Sequence, residues 1–154
     1  MGYYWLNHRK EDKSGYRDTE GEIYHYRSNV PGSKEFSEGD WFVYYRPGKY
    51  VLFGAGRVAE IEVIEEREES NNTVAAEVQP NVPTTRSLTD YFAHMENYRP
   101  FDPPVSARKI KEDISFLREK SGLNGVPQSS IYSIDQKDYL AILRAAGEED
   151  LLEG

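Results

Sequence analysis

Apolar residues along this chain come in short runs, many with a period of two, separated by clusters of glycine, proline and charge. The run Tyr3-Tyr4-Trp5-Leu6 predicts a first strand. Residues 22–27, EIYHYR, predict a second, closed by Ser28-Asn29 and Pro31-Gly32. The polar, aperiodic stretch 8–18 between them predicts an exposed loop, and residues 34–38 suit a single helical turn. The most apolar and aromatic part of the chain is 37–61, SEGDWFVYYRPGKYVLFGAGRVAEI. Its runs 41–45 and 50–53, joined by a turn at Pro47-Gly48, predict a β-hairpin at the centre of a sheet. Beyond Gly54-Ala55-Gly56 the alternation of Val58, Glu60, Glu62 and Ile64 with Ala59, Ile61 and Val63, glutamate on the wet side for part of its length, continues the strand.

The second half is less regular. Residues 65–72 predict a charged turn, 73–78 a returning strand and 79–85 a loop, while 88–95 suits a short helix and 98–104 is irregular and proline-rich. Residues 106–120 predict a helix capped by Ser106, with Ile110, Ile114 and Leu117 on one face and a stop at Gly122. After a β-prone run at 128–132, Ser133 and Gln136 read as a capping box for a last helix that Gly147 ends. The acidic remainder, 148–154, predicts a frayed tail or the start of a linker after a single domain at 1–147. The expectation is an α+β domain whose mostly antiparallel sheet of five or six strands is curved or partly closed, with two or three helices.

A chain of 154 residues can bury a core without staples, and this one has no cysteine, which excludes disulfides, thiolate chemistry and cysteine-based zinc sites. Residues 1–10 lack the apolar core of a signal peptide, so the expected location is cytoplasmic. The net charge of −8 argues against a basic stripe that tracks phosphates, but the charge is uneven. Residues 1–57 hold nine Lys/Arg against eight Asp/Glu, whereas 58–154 hold ten against nineteen. Any nucleic-acid contact should therefore be local, with Arg9, Lys10, Lys13, Arg46 and Lys49 as candidate phosphate contacts.

Candidate chemistry is sparse. Residues 54–59 fit G-x-G-x-x-A, but a dinucleotide loop must open a helix there, and the β-branched strand period that follows excludes it. The glycines instead predict a bulge or a close approach by another group. His8, His25 and His94 are dispersed, so no metal or cofactor is expected; His25 suits a solvent-facing strand position better than a pocket wall. No nucleophile–base set appears, and no catalysis is expected in this chain. The unusual feature is aromatic: twelve Tyr, six Phe and two Trp, clustered at 3–5, 24–26, 41–45 and 91–98. Most belong in a core. The surplus suits an aromatic slot for a flat nucleobase.

The order of these signatures resembles a family. Tyr4-Trp5-Leu6, then 24–29 ending in Arg-Ser-Asn, the Gly-Asp-aromatic strand 39–45, the small-residue strand 54–61 and the block 128–143 resemble an EVE domain, a relative of the YTH domain in the PUA-like superfamily. The resemblance implies a PUA-like pseudo-barrel whose aromatic pocket takes a methylated or hydroxymethylated base, flipped from DNA more readily than held from RNA. It implies Trp5, Tyr24, Tyr26, Ser28, Asn29, Trp41, Tyr44, Tyr91 and Tyr98 as pocket residues, with Tyr where relatives often carry Trp. It further implies the specificity domain of a modification-dependent restriction system of the McrB or HNH-nuclease kind, with a fused or partner nuclease or ATPase supplying the chemistry. An ASCH-like RNA-processing enzyme and an aromatic-faced protein-interaction module are the alternatives.

Overall fold

The computed structural model describes residues 2–8, 19–65 and 89–153. Six strands, β1 (Tyr3–Asn7), β2 (Ile23–Arg27), β3 (Trp41–Arg46), β4 (Val51–Glu65), β5 (Thr89–Ser106) and β6 (Ile131–Ile134), form one sheet in the order β2-β5-β4-β3-β1-β6. Every neighbouring pair is antiparallel except β1 and β3. Two α-helices, α1 (Ser115–Arg118) and α2 (Gln136–Ala146), complete the α+β pseudo-barrel of the PUA-like kind that the sequence predicts.

The hairpin at the centre forms as expected. Its strands pass from Arg46↔Val51 to Trp41↔Arg57 with one register shift between Tyr44 and Tyr45. Further shifts fall at Leu52/Gly54, Ala55/Arg57 and Val58/Glu60, where β4 faces β5. Bulges of this kind increase local twist, so the predicted glycine irregularity is what lets a long hairpin curl.

Curling gives the sheet two cores. Its inner face encloses Tyr4, Leu6, Tyr24, Tyr26, Phe42, Tyr44, Phe53, Val58, Ala93 and Met95, with Phe36 and Ile131 from the flanks. The opposite face carries Trp5, Trp41, Val43, Tyr45, Leu52 and Ala55 against Ile110, Ile114, Leu117, Tyr139, Ile142 and Leu143. The Tyr24 hydroxyl donates to Asn7 O (2.8 Å) and Ser130 O (3.2 Å), linking edge strand β2 to β1 and the approach to β6. On the other face Tyr139 donates from α2 to Phe42 O at 2.9 Å. Burial, and after it the neighbouring Tyr3, push its phenol far above the ordinary tyrosine range.

Several local expectations are overturned. Of the helix expected at 88–95, the described residues 89–95 form a strand instead, and 98–104 are not irregular: both stretches lie in β5, where Tyr91, Ala93 and Met95 alternate inward. Pairing with β2 and β4 on both sides outweighs local propensity there. The prolines are tolerated because β2 pairs only with Asp90–His94, so the rest of β5 has a strand partner on one side only among the described residues. The predicted helix at 106–120 is broken into a 3-10 turn (Lys111–Asp113) and α1, because Asp138 intervenes. Its carboxylate accepts from Ser115 N (2.9 Å) and Ser115 Oγ (2.5 Å), and the chain is extended at Ile114 to reach it. The cap of α2 is Asp135, accepting from Asp138 N, rather than Ser133. Residues 34–38 make turns without a helix. The segment expected to fray after Gly147 is docked: Glu149–Glu153 forms a 3-10 turn, Leu151 is 3% exposed, and Arg99 holds Glu148 and Asp150. Apart from Glu65 at the end of β4, the expected turn, strand and loop at 65–85 fall outside the described residues, as does most of the loop at 8–18.

Candidate nucleic-acid interface

Strand alternation sends one set of rings inward. Tyr24 and Tyr26 come from β2, Phe42 and Tyr44 from β3, Phe53 from β4, Tyr91 and Tyr98 from β5, and His8 from the residue after β1. Tyr44 stacks on Phe53 at 5.3 Å, and its ring centroid lies 4.7 Å from His8, 5.5 Å from Tyr98 and 6.3 Å from Tyr24. At the other end of this column Tyr26 stacks on Tyr91 at 5.0 Å and meets Phe36 edge-on.

The phenol oxygens fare differently. Tyr44 Oη accepts from Gly21 N at 3.2 Å, and Tyr98 Oη donates to Glu20 at 2.5 Å. The Tyr98 ring enters the barrel between two glycines, for a Cβ on Gly54 would lie 2.5 Å from two of its ring carbons and one on Gly21 2.7 Å from its Cγ. Burial, then the Glu20 hydrogen bond, hold the Tyr98 phenol far above the usual tyrosine value, so it remains a donor. The Tyr26 hydroxyl is buried with no hydrogen-bond partner among the described residues, and burial followed by the neighbouring Tyr91 pushes its pKa far up. An orphaned buried hydroxyl of this kind costs about 1–3 kcal/mol.

The structure divides the sequence-derived site residues. Tyr24, Tyr26, Tyr44, Tyr91 and Tyr98 share the inner face. Ser28 follows β2 beside them: its N–H donates to Thr89 O and its Oγ accepts from Thr89 N, while Asn29 is exposed in the turn. Trp5 and Trp41 do not join them. Both point to the helix-covered face, because residues of one parity in β1 and β3 face α2 and those of the other face the barrel. Arg46 and Lys49 lie at the β3–β4 turn, at the opposite end of β4 from Ser28 and Asn29. Arg9, Lys10 and Lys13 are outside the described residues. Sequence reasoning passed over His8, Phe36, Phe42 and Phe53. His8 has the parity of Tyr4 and Leu6, so extending the period by one step would have found it; Phe36 sits in a turn with no such signal.

His25 is not solvent-facing as expected: opposite in parity to Tyr24 and Tyr26, it is buried, only 7% exposed, and stacked on Phe92 at 4.4 Å. Its Nε2 lies 2.8 Å from Asp90 Oδ1, to which Arg27 Nε donates at 3.1 Å. Burial alone would raise the Asp90 carboxyl, but the hydrogen bonds and positive charge of His25 and Arg27 outweigh it and hold the carboxyl below its ordinary range. A depressed native pKa stabilises the fold above the unfolded value near pH 4, and this contribution disappears as pH falls through the lower native value. Asp90→Asn should therefore flatten the acid limb of the stability curve between about pH 2 and 5, as read by urea denaturation. An unaltered acid limb would show the cluster to be energetically idle.

Among the described residues no group of three His, Asp or Glu is placed to hold a metal ion, and no helix is long and apolar enough to cross a membrane. No curated protein matches the chain significantly. Solved structures share its fold, among them these two. The N-terminal domain of McrB from Staphylothermus marinus is 12% identical, with 92% of this chain and 93% of that one covered at a TM-score of 0.55. Rpa0253 from Rhodopseudomonas palustris is 11% identical, with 96% and 94% covered at a TM-score of 0.53. The family model of the EVE domain matches residues 3–145, almost the whole sequence, and on that match the chain belongs to the EVE domain family.

Proposed function

We propose that this domain binds DNA through one modified base, methylated or hydroxymethylated, turned out of the helix and received at the Tyr26–Tyr91 end of the inner face. The observation that carries the reading is the Tyr26 hydroxyl, a buried polar group without a hydrogen-bond partner among the described residues, in a wall of rings. Aromatic faces offer stacking worth about 1–3 kcal/mol per base, and a hydroxyl among them gives a polar edge to read. Tyr91 is half-buried and covers Tyr26, so the incoming base displaces the Tyr91 ring and stacks where it stood. Tyr24 and Ser28 flank this end, Asn29 is exposed beside it, and Tyr44 and Tyr98 back it from farther along the column. Membership in the EVE family and the fold shared with a McrB N-terminal domain support a recognition module of a modification-dependent restriction system. In that role the domain is not itself catalytic and works in the cytoplasm beside a fused or partner nuclease or ATPase.

The test is fluorescence anisotropy on a panel of methylated, hydroxymethylated and unmodified oligonucleotides with the wild type and Tyr26→Phe. The wild type should prefer one modified strand. Tyr26→Phe should reduce that preference by about tenfold, the loss of one hydrogen bond, while thermal stability holds or rises because an unsatisfied hydroxyl has gone. A wild type indifferent to modification would end the reading. A preference that survives Tyr26→Phe would move the base elsewhere on the inner face. Turnover of labelled RNA would favour an enzyme instead.

A further inference from the structure

We infer that the end of the sheet formed by the β3–β4 turn and the segment after β5 docks the phosphate backbone of duplex DNA, at the far end of β4 from the base site. The inference rests on the domain's being a DNA binder but not on its recognising a modified base.

Residues 46–50 and 106–111 contain Arg46, Lys49, Arg108, Lys109 and Lys111 and no carboxylate, in a chain whose net charge is −8. The fold joins the two segments: Val51 pairs with Ser106, and Ala107 N donates to Tyr50 O at 3.0 Å. Lys111 has Glu112 at 3.8 Å, but Arg46, Lys49, Arg108 and Lys109 have no ion-pair partner among the described residues. Elsewhere Arg27 is engaged with Asp90, Arg99 with Glu148 and Asp150, and Arg144 with Glu149. Four cations left together without carboxylates in an acidic protein are a local positive field of the kind that polyanions occupy.

The turn that carries the patch is also built unusually. Tyr50 has φ +60°, a conformation that bulky residues rarely adopt, and the residue is 43% exposed with the Arg108 guanidinium 5.0 Å from its ring centroid. Glycine would adopt this backbone freely, yet the position holds a tyrosine turned to the solvent beside the cations. Strained, exposed residues of this sort mark ligand-facing positions more often than packing ones. A ring that fixes an arginine in place presents its donors to a phosphate already oriented.

The experiment measures affinity against salt for an unmodified duplex of about 30 base pairs, comparing the wild type with the R46Q/K49Q/R108Q/K109Q variant. The slope of log affinity against log salt should become shallower by about 3.6, at about 0.9 for each of the four phosphates no longer neutralised, and affinity at about 100 mM salt should fall at least tenfold. Circular dichroism and the melting temperature should be unchanged. Tyr50→Gly should weaken binding severalfold without lowering the melting temperature, since it relieves the backbone while removing the ring. An unchanged slope in the folded variant overturns the proposal, as does loss of an acidic protein partner with DNA binding intact. The slope is read on unmodified DNA and base recognition on the modified-to-unmodified ratio. A ratio of one beside a changed slope therefore defeats only the base reading, and the converse defeats only this surface.

Discussion

Trp5→Ala is expected to lower the unfolding free energy by about 3–5 kcal/mol, the range for emptying a buried tryptophan site, while the folded fraction keeps whatever base preference the wild type has. Trp5 has no exposed surface and lies against Tyr45 at 4.8 Å and Phe116 at 5.3 Å, on the face of the sheet that the helices cover. Its indole N–H donates to Asn7 Oδ1 at 3.2 Å, and that amide in turn donates to Pro127 O and Ser129 O. The substitution thus opens a cavity and loosens the approach to β6 together. The resemblance to EVE domains had implied Trp5 as a pocket wall, which predicts the opposite pattern of lost binding at near-normal stability. Urea denaturation with an unchanged slope and a lower midpoint, set beside the oligonucleotide panel, separates the two. The expected loss is a large share of the 5–15 kcal/mol typical of a domain, so Trp5→Phe serves as a milder companion that should lose less stability and no recognition. The same reasoning applies to Trp41, whose ring carries the Arg57 guanidinium at 5.2 Å on that same face.

These two tryptophans show where the sequence stopped being informative. Aromatic runs at 3–6 and 22–27 and a period of two at 58–64 were readable, and those strands are present. Parity was not. In Tyr3-Tyr4-Trp5-Leu6 both faces are apolar because both are buried, so nothing local says which side meets the barrel and which the helices. The parallel pairing of β1 with β3 sets Trp5 against Val43 and Tyr4 against Phe42, and that relation spans more than thirty residues. β5 failed for a related reason: Thr89–Ser106 has neither a uniform propensity nor freedom from proline, and its state is fixed by β4 along nearly its whole length. The Ile110, Ile114, Leu117 spacing correctly marked three buried side chains but the wrong backbone, because Asp138, far off in sequence, competes for the Ser115 donors. For the site, Tyr24, Tyr26 and Tyr44 were legible as aromatic residues of strand-like runs, whereas Tyr91 and Tyr98 were legible only as aromatic residues, in stretches that read as a short helix and an irregular segment. The orphaned Tyr26 hydroxyl was not, since it depends on what surrounds the ring.

Gly54→Ala is expected to cost about 3 kcal/mol, at the upper end for adding one methyl group to a packed interior. Gly54 has no positive φ, so the penalty is steric and not conformational. The added Cβ would fall on the Tyr98 phenol, and the ring cannot retreat because Gly21 lines its other side. Tyr98 must then leave its slot, giving up the hydrogen bond to Glu20 and its packing against Tyr44 and Phe42. A double-mutant cycle isolates the cause: in a Tyr98→Ala background the Gly54→Ala penalty should shrink to a fraction of its value, because the obstruction has gone. An equal penalty in both backgrounds would mean that the bulge beside Gly54, not the ring, rejects the methyl group. The cycle also bears on recognition. Tyr98 stands at the Glu20 end of the ring column and Tyr26 at the Phe36 end, so displacing Tyr98 tests whether the column acts as one wall. If base preference depends only on the Tyr26–Tyr91 end, any folded Gly54→Ala protein should retain it; a loss there would extend the base site along the column to Tyr44 and Tyr98.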